Sequence, residues 1–190
     1  MARLLPAAPA LAAIVLAACA DVPTGSVDPA STPSFSHNGN SPAVQVFRVK
    51  LDELNGSGVR GTATLLVKNG ELVVTLNAVD HAPSQLHPQH IHGFDPGVES
   101  TCPTAAHDTD GDGVITFAEG APAFGPVQVD LQPYPTPANA AGSISYRGVF
   151  TPSFAPSDLP DKTMVLHGDF SNGAYVASLP VACGQVEPVN

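Results

Sequence analysis

Beyond residue 43 the apolar positions fall into short runs bounded by turn residues. Val44, Val46 and Val49, with Phe47 among them, open the first of these. Two strand-like runs, 59–67 and 71–79, flank Lys68-Asn69-Gly70. Asn-Gly tolerates the positive φ angles that tight hairpin turns require, so these runs are predicted to pair as a hairpin. Further strands are predicted at 91–94, 127–131, 143–150, 163–168 and 175–182, with Pro-rich loops at 132–139 and 151–161. The pattern predicts an all-β domain, an antiparallel Greek-key sandwich or barrel.

Composition agrees with this. The 190 residues include 20 prolines and 17 glycines and are only 13% charged, which suits a turn-rich β protein with a single core. The formal net charge is -10, and seven Lys and Arg residues are too few to hold a phosphate backbone, so nucleic acid is excluded as a partner. The acidic balance instead favours cations.

The first residues read as an address rather than as structure. Arg3 supplies a positive start, and residues 11–18 form an apolar run that ends in small residues. A bilayer span needs about 20 apolar residues, so this run is too short to be one. Leu16-Ala17-Ala18-Cys19 resembles the bacterial lipobox, which implies cleavage after residue 18 and a lipid on Cys19. The alternative is an ordinary signal peptide cut after Ala18 or Ala20. Lipidation accounts for the odd one of three cysteines and leaves Cys102 and Cys183 to pair in an oxidising compartment. The expected order is a signal peptide at 1–18, a flexible tether at 19–42 and a β domain at 43–190. The protein would be exported and held by lipid at the cell envelope, periplasmic or on the outer surface.

One loop carries a calcium signature. Residues 108–119 read Asp-Thr-Asp-Gly-Asp-Gly-Val-Ile-Thr-Phe-Ala-Glu and fit the twelve-residue EF-hand loop. Asp108, Asp110 and Asp112 would supply side-chain oxygens, Val114 its carbonyl, Thr116 a direct or water-bridged oxygen, and Glu119 both carboxylate oxygens. Gly113 stands at the sharp turn and Ile115 at the apolar position that pins the loop. Four clustered carboxylates repel one another without a cation. The bland alternative is a solvated acidic turn. The preceding residues 99–104 do not read as helical, and Gly120-Ala121-Pro122 should stop an exit helix within about one turn. A single calcium loop set into a β domain is expected.

Five of the seven histidines lie between His81 and His107. His90 and His92 stand two apart, so on a strand both project from one face, and two neutral imidazoles there suit copper or zinc. Leu86-His87-Pro88-Gln89-His90-Ile91-His92 resembles the copper-strand motif of copper/zinc superoxide dismutases. Cys102 followed by His107, the run Thr163 to His167, and Val181-Ala182-Cys183-Gly184 resemble that family's later segments in the same order. The resemblance implies copper on His90, His92, His107 and His167, a structural role for His87, and a Cys102–Cys183 disulfide. The sequence departs from the family where zinc ligands would follow His107, because the calcium loop lies there. It departs again at Pro180, which stands where the family carries an anion-guiding Arg. Gly61-Thr62-Ala63, His90-Ile91-His92-Gly93 and residues 125–131 also resemble CHRD domains, which implies a non-catalytic extracellular module with largely structural histidines. Metal ions and, through Cys19, the membrane are the expected partners. An enzyme on this pattern would be a copper-dependent superoxide dismutase.

Overall fold

A computed structural model describes residues 44–189. The expected signal peptide, Cys19, the whole of the expected tether at 19–42 and residue 43 lie outside the described residues. Three strands of nine residues open the domain: β1 (Gln45–Glu53), β2 (Arg60–Lys68) and β3 (Glu71–Val79). Their alternation is the reason they form strands. Phe47, Val49 and Leu51 on β1, Ala63, Leu65 and Val67 on β2, and Leu72, Val74, Leu76 and Ala78 on β3 all turn into one core. Asn69 (φ 55°) and Gly70 (φ 80°) make the β2–β3 turn, and Lys68 pairs with Glu71 across it.

The chain continues through β4 (Gln89–His92), a short 3-10 turn (Ala105–His107), helix α1 (Phe117–Phe124), β5 (Val127–Asp130) and β6 (Ile144–Phe150). A second 3-10 turn (Pro156–Asp161) leads into β7 (Thr163–Ser171) and β8 (Ala174–Pro188). Every strand pair is antiparallel. The eight strands form one sheet in the order β5-β4-β7-β8-β1-β2-β3-β6, which curls into a nearly closed barrel. Ile91, Met164, Leu166 and Val181 complete its interior. Burying each such side chain stabilises the fold by about 1.5–3 kcal/mol.

Several sequence-based boundaries shift. The fourth strand begins two residues earlier than expected, at Gln89, and the last two extend to Ser171 and Pro188 because pairing partners continue there. Helix α1 is eight residues long, not one turn, and contains Pro122. Two features carry it past the proline. The Thr116 hydroxyl accepts the Glu119 N–H while the Glu119 carboxylate accepts from Thr116, a reciprocal cap at the helix start. At the other end Ala123 and Phe124 are buried, so packing outweighs the backbone bond that Pro122 cannot make.

Alternation on β4 and β7 has a further consequence. With Ile91, Met164 and Leu166 facing the core, His90, His92, Val165 and His167 face the outside of the barrel. That outer face is not left to solvent. Residues 100–125 cross it, and Phe124, Val165 and Cys183 form a second small core there with Leu54, Cys102 and Ala121. The disulfide Cys102–Cys183, with Cα atoms 5.7 Å apart, fastens this covering segment to β8.

Candidate metal centre

His90, His92 and His167 come together beneath the covering segment, each offering a ring nitrogen within 4.8 Å of the others. Their ring centroids are 5.1–5.7 Å apart. Strand pairing explains the meeting: β4 and β7 are neighbours, and His90 lies opposite Val165, two residues from His167.

The hydrogen bonds around the cluster leave one nitrogen of each ring free. His92 Nδ1 lies 2.9 Å from the Gly125 carbonyl, and His167 Nδ1 lies 3.1 Å from that of Ser178. A carbonyl only accepts, so both Nδ1 atoms carry the proton and both Nε2 atoms keep a lone pair. His90 is turned the other way, with Nε2 3.0 Å from the Tyr134 hydroxyl. In these three rings the nitrogens buried without any partner are His90 Nδ1, His92 Nε2 and His167 Nε2. Orphaned buried acceptors are costly, and a cation is the economical way to satisfy three at once. Burial also lowers the proton affinity of the rings, to about 4 for His92 and about 3 for His167, and in the same direction for His90. The rings therefore stay neutral at pH 7, as metal ligation requires.

The acidic loop forms a second group. Asp108, Asp110 and Asp112 each offer a carboxylate oxygen within 4.8 Å of the others. Backbone amides shape the loop: Gly111 and Gly113 donate to the two oxygens of Asp108 at 2.8 and 2.9 Å, and Val114 donates to Asp112 at 2.8 Å. Gly113 has φ 86°, which a side chain would strain. Glu119 lies outside this carboxylate group. Its oxygens accept the amides and hydroxyls of Thr109 and Thr116 at 2.8–2.9 Å, and these bonds, those from Thr116 first, lower its proton affinity to about 2.

The two groups share supports. Helix α1 begins within the acidic loop, and its Phe117 ring lies 6.2 Å from His92 and 6.0 Å from His167. Phe124, at the other end, packs edge-on to His92 at 4.6 Å, and Gly125, next along, supplies that ring's carbonyl. On the other side Asn55 joins Ile115 of the loop to Pro180 of β8. Pro180 is paired with His167.

His107 does not join the other three histidines. The short 3-10 turn brings its Nδ1 back to accept the Thr104 N–H at 3.1 Å, beside the acidic loop. The ligand set brought together is therefore three residues rather than the four that the resemblance implies. His87 faces backbone on both sides, with Nδ1 3.1 Å from the His167 carbonyl and Nε2 2.8 Å from that of Ala82. Asp130, Tyr134, Phe117, Phe124 and Asn55 carry no sequence signal for a place around the site. Tyr134 in particular reads as part of an exposed Pro-rich loop. No family model matches this chain, and no curated sequence matches it.

Proposed function

We propose that this protein is an exported, lipid-anchored metal-binding domain, with copper held by His90, His92 and His167 and calcium held by the loop at 108–119. The observation that carries the reading is three buried histidines that each keep one ring nitrogen without a partner and each offer a ring nitrogen within 4.8 Å of the others. Three imidazoles suit copper or zinc better than a hard cation, and the general affinity order places Cu(II) above Zn(II). Copper would supply one-electron redox chemistry. The chain's own part is to hold the rings neutral and oriented and to keep water away, since His92 and His167 are fully buried. Asp108, Asp110, Asp112, the Val114 carbonyl, Thr116 and Glu119 would supply oxygens to calcium.

Holding copper is favoured over rapid superoxide dismutation. Pro180 offers no positive charge beside His167, and the net charge of -10 repels an anion. The Phe117 ring also lies close to two of the three histidines. Metal analysis of the purified chain is expected to find one copper and one calcium, with little dismutation by the loaded protein. His90→Ala should abolish copper retention and leave calcium in place. Failure of the wild-type chain to retain copper through desalting would overturn the copper assignment. Rapid dismutation would restore the enzyme reading.

A further inference from the structure

A histidine that binds a metal through one nitrogen must carry its proton on the other. The backbone settles this for His92 and His167, because the Gly125 and Ser178 carbonyls only accept. No backbone group does so for His90. Its Nε2 instead meets the Tyr134 hydroxyl at 3.0 Å, and a hydroxyl can donate or accept.

The direction is decided one bond further out. The Tyr134 oxygen lies 2.5 Å from Asp130 Oδ1, and an ionised carboxylate only accepts. The hydroxyl proton therefore goes to Asp130, and Tyr134 turns a lone pair toward His90. Nε2 must then be the donor, and the lone pair falls on Nδ1, the nitrogen buried without a partner. Gln132 Nε2 donates to the second Asp130 oxygen at 2.7 Å and steadies the carboxylate. Strand register sets up the arrangement, since Asp130 on β5 pairs directly with His90 on β4. The Tyr134 ring also stands perpendicular to that of His90, with centroids 5.7 Å apart.

We propose that Tyr134, oriented by Asp130, is the positioning residue that locks His90 in the tautomer able to bind a metal ion through Nδ1. This rests on reading the three histidines as a metal site. It makes His90 the one ligand of the three whose outer partner is a side chain, and so the one whose tautomer a substitution can change.

The test begins with the metal-free protein at a pH where His90 is neutral. Long-range 1H–15N correlation spectra report which ring nitrogen carries the proton. The wild type is expected to show His90 protonated on Nε2. Tyr134→Phe keeps the ring but removes the acceptor, so His90 should lose that preference. Asp130→Ala frees the hydroxyl to donate into Nε2 and should move His90 toward the Nδ1–H tautomer. Both variants should bind Cu(II) about tenfold or more weakly in competition with a chromophoric chelator, with an altered copper hyperfine splitting in the electron paramagnetic resonance spectrum. Their calcium affinity, measured without copper, should be unchanged. If His90 keeps the Nε2–H tautomer in both variants, the role given to Tyr134 is overturned, whatever copper does. If the tautomer shifts but not even the wild type binds copper, the metal reading falls, and the ligand role of His90 falls with it.

Discussion

Asn55 brackets Ile115. Its side-chain oxygen accepts the Ile115 N–H at 2.8 Å, and its side-chain nitrogen donates to the Ile115 carbonyl at 2.9 Å. One carboxamide thus satisfies both backbone groups of the acidic loop's apolar residue, as a neighbouring strand would. The same nitrogen also donates to the Pro180 carbonyl at 2.9 Å, which ties the loop to β8. Asn55 adopts φ 58°, a conformation that asparagine tolerates better than most residues.

Removing this bracket should be costly. Asn55→Ala strips partners from a part-buried amide and two carbonyls, a change expected to lower stability by about 2 kcal/mol. Asn55→Asp keeps the acceptor but turns a carboxylate oxygen toward the Ile115 and Pro180 carbonyls, so it should be no more stable than the alanine variant. Urea denaturation of the three proteins in calcium checks the order. An Asn55→Asp protein as stable as the wild type would show that the two bonds donated to the Ile115 and Pro180 carbonyls contribute nothing.

Helix α1 carries Thr116 and Glu119 of the acidic loop at one end and packs Phe117 and Phe124 near the histidines. On the proposed reading, calcium should raise copper affinity by fixing the helix start, and linkage requires copper to raise calcium affinity by the same factor. A factor of about ten is expected. Phe117→Ala leaves every proposed ligand side chain in place and should cut the factor to about two, below the usual range for coupled sites. Titrating each ion with and without the other, in metal-depleted buffer, measures it. Equal factors in both proteins would rule out Phe117 as the link.

Acid should weaken the metal-free fold, and His81 identifies one cause. Both its ring nitrogens are buried without partners, and burial lowers its proton affinity from 6.5 to about 4. The unfolded chain takes up this proton as pH falls below 6.5, whereas the folded chain resists until about 4. The contribution of neutral, buried His81 is thus fully present above pH 6.5 and is lost as pH falls toward 4. His92 and His167 act in the same direction. His81→Phe should reduce the loss of unfolding free energy between pH 7 and pH 4.5. An unchanged pH dependence would place the acid sensitivity elsewhere.

Strand alternation makes much of the fold legible in advance. Residues 71–79 are readable as β3 and Asn69-Gly70 as its turn because both signals are local. The pairing of His90 and His92 on one face follows from the same period of two. The start of β4 is misplaced by sequence pattern because Gln89 looks polar, yet it is buried where the strand pairs with Leu166 of β7. Tyr134 is unreadable for a different reason. Its role depends on the β4–β5 register that sets Asp130 beside His90, and no local pattern encodes that register. His107 shows the limit from the other side, since its neighbours in sequence resemble a ligand segment while its ring bonds within its own turn.

The disulfide supplies the last test, because it fastens the segment that covers the histidines. Cys102 and Cys183 are separated by 81 residues, so the bond removes much of the freedom of the unfolded chain. Reduction, or Cys102→Ser with Cys183→Ser, should cost about 2–5 kcal/mol. The loss should not be uniform, because Cys183 lies in the small outer core with Phe124 and Val165, and the barrel interior is packed separately. Hydrogen exchange should therefore rise first in α1 and at Thr101, whose N–H donates to the Ala123 carbonyl, while β1–β3 stay protected. Copper retention should fall with that protection, since the Gly125 carbonyl that orients His92 belongs to the loosened segment. Uniform loss of protection across the barrel would show that the outer core does not open separately from the interior.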